Sequence, residues 1–486
     1  MRGSSPRVGT PDDGKAAAPV ADSSCMRPYG PYSSAMHASR RDFLSGLIAA
    51  GGALLFNPAL QATAATKPKS SGSMASDCLY RSLNGTPAEN LVRVIDLMGG
   101  VEKLVGRDDV VLIKPNVQWW NQGAPNLSAL NAFVGLVMER PGGFRGEVVI
   151  AENCHRGSSP WASESSGWAQ PFTRNSDLPG IRHFGDLAAD LKKRYGTRYS
   201  TRHWVDVGAG ARRVSGPSDG QGYVYCDGTG GVPLLRCGND IQGSGARETI
   251  MTYPIFSTDR GTLVDFRNGI WEKGAYTGRP LRVVNFCGIN HHSIYCGATG
   301  SVKNYMGITD LSGGPDPSNG GRLTGTYYNF HSFPFNKWSA GPRAGMLGRE
   351  IGVFMKTVRK ADLNIMTAEW VGLASRVDPP VAWTRAVLAC KDPVALDYHA
   401  AKHLLYANSG IPLHNPDREG SPVRDYLIQC AAHSGGNFKE GGTTVKSYDF
   451  AKRGFVDDGT LDIEGEIFWG RSLKPNLKYL YLRYMA

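Results

Sequence analysis

The stretch DVVLIKPNV, residues 109–117, is a continuous apolar run that ends in polar side chains. Runs of Val, Leu and Ile without polar alternation are typical of parallel strands buried on both faces. A helix of good periodicity, NLSALNAFVGLVMER (126–140), and a second buried strand, GEVVIAEN (146–153), follow it. Strand, helix and strand in this order predict a βαβ unit. We therefore expect an α/β protein with a mostly parallel or mixed sheet flanked by helices.

The rest of the chain extends this pattern around one interruption. Residues 197–280 are rich in Gly, Arg and Thr with short strand-like pieces, and they predict a β-rich insertion. Buried strands are expected again at 279–290 and 384–392, and helices at 86–105, 184–196 and 393–410. The predicted organisation is a linker (65–85), the first part of the α/β domain (86–196), the insertion (197–280), the second part (281–410) and a C-terminal extension (411–486).

The N-terminal region has the layout of an export signal. Arg40 and Arg41 precede an apolar, Gly/Ala-rich segment that ends near Phe56, and small residues lead up to Ala64. This order is typical of a twin-arginine signal peptide, which predicts passage through the twin-arginine export machinery to a periplasmic or secreted location. The apolar segment is shorter than the roughly 20 residues that span a bilayer, so we expect no stable membrane span after cleavage. Residues 1–64 are predicted to be a disordered n-region and signal, with Met1, Met26 and Met36 all open as start sites.

Composition excludes several classes of protein. The net charge is +11, but the basic residues are scattered and the usual RNA-binding signatures are absent, so nucleic acid is not an expected partner. Of the nine cysteines, Cys25 precedes the export signal. Cys226/Cys237 and Cys287/Cys296 are the nearest pairs and could each close a short loop in an oxidising compartment. No C-x-x-C occurs, which argues against a ferredoxin-type iron–sulfur cluster. The cofactor is unknown, with a single metal ion left open.

Candidate site residues follow the predicted buried strands. In open α/β sheets ligands bind at the carboxyl ends of the strands, and the segment CGINHHSIYCGATGSVKNYMGITD (287–310) begins at such an end. His292 is a candidate general acid or base, Lys303 a candidate anion-binding cation, and Asp392 a candidate orienting group or metal ligand. Glycine N–H groups and an ammonium suit an anion. The expected ligand-binding residues are Lys114, Asn116, Glu152, Gly297, Gly300 and Asn304.

Two of these features have plainer explanations that remain open. The glycine loop could simply cap a helix, and Asp392 precedes a predicted helix, where aspartate is a common cap. His399 and His403, four residues apart on that helix, could bind a metal, although a surface pair is the preferred interpretation.

The order of these segments resembles the family called domain of unknown function 362. The resemblance spans roughly residues 109–405 and rests on K-P-N, T-G-x-x-K-N-x-x-G and D-P-V-A-x-D. Asn290 stands where that family usually has a lysine, while His292 is kept. Many relatives carry ferredoxin-type cysteine motifs and this chain has none, so the resemblance does not extend to electron transfer through an attached cluster. It implies an α/β fold and the place of the site, but no particular reaction.

Three functional hypotheses remain. The first is an exported enzyme acting on an anionic small molecule at a Lys/His site on the sheet edge. The second is an accessory protein that binds a metal or ligand without turnover, or docks a partner through the aromatic segment 327–338. The third is a redox protein that uses its thiols or a metal.

Overall fold

The structure is a computed structural model that describes residues 78–153, 166–207, 213–236, 248–294, 296–310, 327–328, 341–456 and 461–485. The predicted export signal, Cys25, Cys154, Cys237 and most of the aromatic segment 327–338 lie outside these residues.

The described strands are, in chain order, β1 (Cys78–Leu83), β2 (Val110–Pro115), β3 (Glu147–Glu152), β4 (Tyr199–His203), β5 (Gly222–Cys226), β6 (Leu235–Arg236), β7 (Glu248–Thr249), β8 (Met251–Ser257), β9 (Leu263–Asp265), β10 (Gly269–Glu272), β11 (Ala275–Tyr276), β12 (Leu281–His291), β13 (Ala298–Thr299), β14 (Tyr327–Tyr328), β15 (Leu363–Gly372), β16 (Val381–Cys390), β17 (Thr444–Asp449), β18 (Gly454–Val456) and β19 (Glu466–Phe468).

The described α-helices are α1 (Pro87–Leu97), α2 (Leu127–Met138), α3 (Phe184–Tyr195), α4 (Trp204–Val207), α5 (Ser301–Asn304), α6 (Gly341–Thr357), α7 (Pro393–Ala400), α8 (Ala407–Ser409), α9 (Pro422–Ser434) and α10 (Leu473–Tyr484). A π-helical segment, Ala401–Tyr406, joins α7 to α8. Short 3₁₀ turns occur at Val101–Lys103, Asn121–Gly123, Gly196–Arg198, Pro217–Asp219, Tyr305–Ile308 and Pro412–His414.

A mixed sheet of eleven strands forms the centre of the fold. Its order is β18-β17-β1-β16-β15-β12-β2-β3-β4, with β13 paired to β12 and β19 paired to β16. The neighbours from β15 to β4 pair in parallel, and β16 runs antiparallel to β15 and β1. The predicted α/β fold is therefore confirmed, and β2, α2 and β3 form the expected βαβ unit.

Two smaller sheets lie apart from the main sheet. A second sheet, of five antiparallel strands, has the order β11-β10-β9-β8-β5, and a three-stranded sheet has the order β14-β7-β6. The β-rich insertion is thus present, and its five-stranded sheet begins at Gly222. Strand β4 falls inside the predicted insertion but pairs with β3 in the main sheet.

Local chemistry explains where the helices begin. Thr86 and Glu89 form a capping box at the start of α1, and Asn126 accepts from two backbone N–H groups at the start of α2. The apolar faces of both helices pack on strands that are buried on both sides, such as β2. Burial of this kind stabilises by roughly 25 cal/mol for each Å² of apolar surface removed from water.

Two segments contribute more to the fold than their sequence indicated. Cys78–Leu83, expected within a linker, is a buried central strand that pairs with β16 on one side and β17 on the other. The expected C-terminal extension supplies β17, β18 and β19 to the main sheet. β1 is buried at five of its six positions and so lacks the alternation that marks a half-buried strand. β17, β18 and β19 are too short, at three to six residues, for a strand pattern to be recognised.

The described cysteines are buried thiols. Cys287 and Cys296 are both free, so they do not close the loop that their spacing permitted. The other free thiols are Cys78, Cys226, Cys390 and Cys430. Within the described ranges, no helix has the length and apolar character needed to cross a bilayer.

Candidate functional site

A polar cleft lies at the carboxyl ends of the parallel strands β2 and β3. It has a volume of about 430 Å³ when the open mouth is included. The cleft is where an open α/β sheet is expected to bind its ligand. Its lining residues are Lys114, Asn116, Gln118, Trp119, Glu152, Asn153, Thr299, Lys303, Asn304, Met306, Gly307 and Arg376. Five residues predicted for the site are brought together here: Lys114, Asn116, Glu152, Lys303 and Asn304.

An ion pair forms the floor of the cleft. Lys114 Nζ lies 3.1 Å from Glu152 Oε1, and each side chain is only 2% exposed. The second carboxyl oxygen of Glu152 accepts a hydrogen bond of 2.6 Å from the backbone N–H of Val117. Burial raises the pKa of Glu152 to about 7, against the opposing effects of Lys114 and the Val117 N–H. A carboxyl group with this pKa can gain or lose a proton near neutral pH.

A chain of buried amides fixes the position of Lys114. Its ammonium donates to Asn304 Oδ1. The amide nitrogen of Asn304 donates to Lys114 O at 3.1 Å and to Asn285 Oδ1 at 2.6 Å. Asn285 in turn donates to Asn364 Oδ1 at 2.9 Å. Because each amide has both of its ends engaged, the orientation of Asn304 is set and its oxygen faces the lysine.

The glycine loop before α5 is satisfied from within the protein. Asp397 accepts from the backbone N–H of Ser301 at 2.6 Å and of Val302 at 2.9 Å. These two N–H groups belong to the first residues of α5, directly after Gly300. Burial raises the pKa of Asp397 to about 6, while these hydrogen bonds lower it. The anion at this helix start is therefore the chain's own carboxylate.

The two predicted glycines have structural reasons to be glycine. A Cβ on Gly300 would lie 2.5 Å from Asp397 Oδ1. Gly297 has a φ of +71°, and a Cβ there would lie 2.5 Å from Leu413 O. Neither is among the residues that line the cleft. The interpretation of this loop as a helix cap fits the described geometry better than direct ligand binding.

His292 lies outside the cleft lining, although it is buried. Its ring Nδ1 lies 3.2 Å from Ser293 Oγ, and its backbone N–H donates to Gly297 O at 2.8 Å. The neighbouring His291 points elsewhere, with Nδ1 2.9 Å from His414 Nε2. Burial lowers the pKa of both His291 and His414, so this pair is neutral at physiological pH. The acid–base role of His292 stays a prediction, whereas Glu152 is a titratable carboxyl group that does line the cleft.

Asp392 is the N-cap of α7. Its carboxylate accepts from Val394 N at 2.9 Å and from Asn437 N at 2.6 Å. It does not line the cleft, so the capping interpretation describes its contacts and the orienting role has no geometric support.

His399 and His403 are buried rather than exposed, which corrects the preferred interpretation of a surface pair. His403 lies between Asp462 and Glu440, at 2.9 and 3.2 Å, and His399 Nε2 lies 3.2 Å from Arg81 Nη1. No group of three or more His, Cys, Asp or Glu side chains suited to hold a metal ion occurs among the residues that the structure describes.

Arg376 is the main lining residue that the sequence did not reveal. It follows β15, and its guanidinium lies 4.6 Å from the centre of the Trp119 ring. No sequence motif surrounds Arg376. Its position after the carboxyl end of a buried strand is the feature of the sequence that could have indicated a place in the site.

Asn153 was missed as well, although it directly follows Glu152. Its amide donates to Tyr223 Oη at 2.5 Å and to Thr309 O at 2.6 Å. Tyr223 belongs to β5, so Asn153 links the cleft to the second sheet.

Comparisons with known proteins returned no match: no family model, no curated protein and no solved structure resembles this chain closely enough to be reported.

Proposed function

We propose that the protein is an exported enzyme that acts on a small anionic molecule in the cleft at the ends of β2 and β3. Three cationic side chains and one carboxyl group converge there: Lys114, Lys303, Arg376 and Glu152. This excess of positive charge in a concave, partly buried site is the observation that carries the proposal.

The cations have different roles in this proposal. Lys114 is held by Glu152 and Asn304 on the floor of the cleft. Lys303 lies on the short helix α5 and Arg376 on the segment after β15, so they approach the cleft from two different elements. A guanidinium presents a planar fork to a carboxylate or phosphate, whereas an ammonium acts as a point charge. Lys303 and Arg376 are therefore the residues that would hold the anionic group.

Glu152 would move the proton. Its pKa of about 7 gives comparable amounts of acid and base near neutral pH, which is the condition for efficient general acid–base catalysis. Negative charge that develops on the substrate would be stabilised by Lys114, 3.1 Å from the same carboxyl group. Proton transfer next to an anionic group, as in isomerisation or hydrolysis, is the reaction class that these groups support.

The sequence supports the same proposal in two ways. The twin-arginine pattern at Arg40–Arg41 favours export to a periplasmic or secreted location. The resemblance to the domain of unknown function 362 family, which we propose as the relationship of this chain, rests on motifs that include Lys114, Asn116, Lys303 and Asn304. All four line the cleft.

The alternative is an accessory protein that binds the anion without turnover. The close engagement of Glu152 with Lys114 and Val117 favours it, because both carboxyl oxygens already accept hydrogen bonds and are less available to take a proton from a substrate. A thiol redox role has less support: burial raises the pKa of each described cysteine, which disfavours the reactive thiolate.

The test is calorimetric titration of the purified protein with inorganic phosphate and with short dicarboxylates. Lys303→Met should weaken binding by at least about tenfold, the worth of one charge-assisted hydrogen bond. The matched control is Lys452→Met, which removes the same charge from an exposed turn far along the chain.

An equal loss of affinity in both variants would mean that net charge alone determines anion binding. That result would overturn the proposal that the cleft is the binding site. Binding that depends on Lys303, followed by no turnover of a panel of anionic substrates, would favour the accessory role over the enzyme.

A further inference from the structure

The C-terminal region exposes an unusual amount of apolar surface. Among the described residues, twelve large hydrophobic side chains are exposed, and eight of them lie between Phe468 and Met485. Six belong to α10 or directly follow it: Leu473, Leu477, Leu480, Tyr481, Tyr484 and Met485.

Helical geometry places these residues on one stripe. Leu473, Leu477, Tyr481 and Tyr484 are spaced by four, four and three residues, which puts them on a common face of a helix. Their exposed fractions are 69%, 53%, 60% and 69%. We call this stripe the apolar face of α10.

The helix is attached to the protein by its other side. Tyr479 is buried, and its hydroxyl donates to Ser409 O at 3.1 Å. Lys478 Nζ donates to Ala374 O at 2.6 Å, and the Trp469 ring lies 5.4 Å from the Tyr479 ring. Since Tyr479 already supplies the contact with the core, the apolar face is not needed for packing within the described part of the chain.

The charged residues of the C-terminal segment that carries the apolar face all have one sign. Residues 469–486 contain four cations and no Asp or Glu: Arg471, Lys474, Lys478 and Arg483. A second copy of this helix would place like charges together, which disfavours a symmetric dimer through this face. The complementary partner is a surface that is apolar inside and negatively charged outside.

We propose that the apolar face of α10 binds the surface of an anionic lipid bilayer, with the helix lying in the plane of the membrane. Helices of this type bury Leu and aromatic side chains at the boundary of headgroups and acyl chains, while Lys and Arg contact anionic lipid. Tyr and Trp favour that boundary because their rings are apolar and their tips are polar. Trp469, Tyr481 and Tyr484 match this preference.

The experiment measures binding to phosphatidylcholine vesicles with and without phosphatidylglycerol, by sedimentation of the full chain. The apolar segment around residues 43–56, part of the predicted export signal, is expected to add membrane affinity of its own. Every protein in the comparison therefore carries Leu47→Glu and Leu54→Glu, and this doubly substituted chain is the parent.

The test variant is Leu477→Glu with Tyr481→Glu. The matched control is Phe455→Glu with Leu461→Glu, which removes two exposed apolar side chains elsewhere and changes the charge equally. The parent should bind the vesicles that contain phosphatidylglycerol, and binding should weaken with added salt. The test variant should lose at least about tenfold in affinity, and the control less than about threefold.

Three results would overturn the proposal. The parent could fail to bind anionic vesicles, or the two variants could lose affinity equally. The parent could also form a concentration-dependent dimer that only the test variant abolishes, without vesicle binding, which would assign the face to a second copy of the chain. Circular dichroism of both variants checks that the fold is retained.

Discussion

Lys114 and Glu152 form a buried ion pair, 3.1 Å apart, at the ends of two adjacent parallel strands. Removing both charges from water costs several kcal/mol, and a buried pair is often no more stable than apolar residues of the same volume. Stability alone therefore gives little reason for this pair. Its place on the floor of a cationic cleft fits the function proposed above.

The first prediction concerns the lysine of this pair. Lys114→Met should lower the free energy of unfolding by about 3–5 kcal/mol at pH 8, because it leaves the carboxylate of Glu152 buried without its cation. At pH 5 the loss should be smaller, since the carboxyl group is then largely protonated. Urea denaturation at the two pH values measures both. The same loss at pH 5 and pH 8 would show that the carboxylate is not what the lysine stabilises.

The second prediction concerns Glu152 itself. Its pKa is raised from 4.5 to about 7 on folding, so the folded protein retains a proton that the unfolded chain releases between these values. Stability due to this group is therefore full below about pH 4.5 and is lost as the pH rises through 7.

Glu152→Gln removes this loss because glutamine does not titrate. The difference in unfolding free energy between variant and parent should shift in favour of the variant by roughly 3 kcal/mol between pH 5 and pH 8. Other buried carboxyl groups titrate in the same range, notably Glu350, Glu369 and Asp397. The comparison with the parent cancels them. A difference that stays constant with pH would show that the pKa of Glu152 is not raised.

The third prediction concerns the contact between Gly300 and Asp397. Gly300→Ala places a methyl group 2.5 Å from the carboxylate that holds the start of α5. It should lower the free energy of unfolding by about 1–3 kcal/mol and weaken phosphate binding, since Lys303 lies on this helix.

The matched control for this change is Gly135→Ala. Gly135 lies within α2, and a Cβ there would meet no atom within 4 Å. This variant should stabilise the protein by about 0.5–1 kcal/mol, because alanine favours a helix. Thermal unfolding of both variants measures whether each change stabilises or destabilises the protein. Destabilisation by Gly135→Ala as well would point to a general intolerance of alanine.

The fourth prediction separates His292 from the cleft. His292→Gln should keep the affinity for phosphate within about twofold, while Lys303→Met loses about tenfold or more. The reason is that His292 is not among the residues that line the cleft. Its ring Nδ1 lies 3.2 Å from Ser293 Oγ, and its backbone N–H donates to Gly297 O. Calorimetric titration compares the two variants. A loss with His292→Gln as large as with Lys303→Met would restore the histidine to the site.

Sequence reasoning succeeded where one residue pattern determines one structure. The apolar runs at 109–117 and 146–153 are parallel strands, and Lys114 and Glu152 meet because such strands end at the same edge. It failed where a side chain's partner is distant in the chain. Asp397 fills the helix start at Ser301, and nothing in the local sequence indicates that contact across 96 residues.

Arg376 is a second residue whose role could not be predicted from the local sequence. Its place in the cleft depends on how the segment after β15 folds over Trp119, which no periodicity or motif encodes. Short strands such as β17 and β18 were also missed, because their register is set by the neighbouring strands rather than by their own pattern.

The anion site in the cleft is best tested by a crystal structure of the protein soaked with selenate, whose anomalous scattering locates a bound oxyanion. We expect an anomalous peak in the cleft, within hydrogen-bonding distance of Lys303 and Arg376, that disappears in Lys303→Met crystals. A cleft without a peak, in crystals where selenate binds elsewhere on the protein, would contradict the anion site.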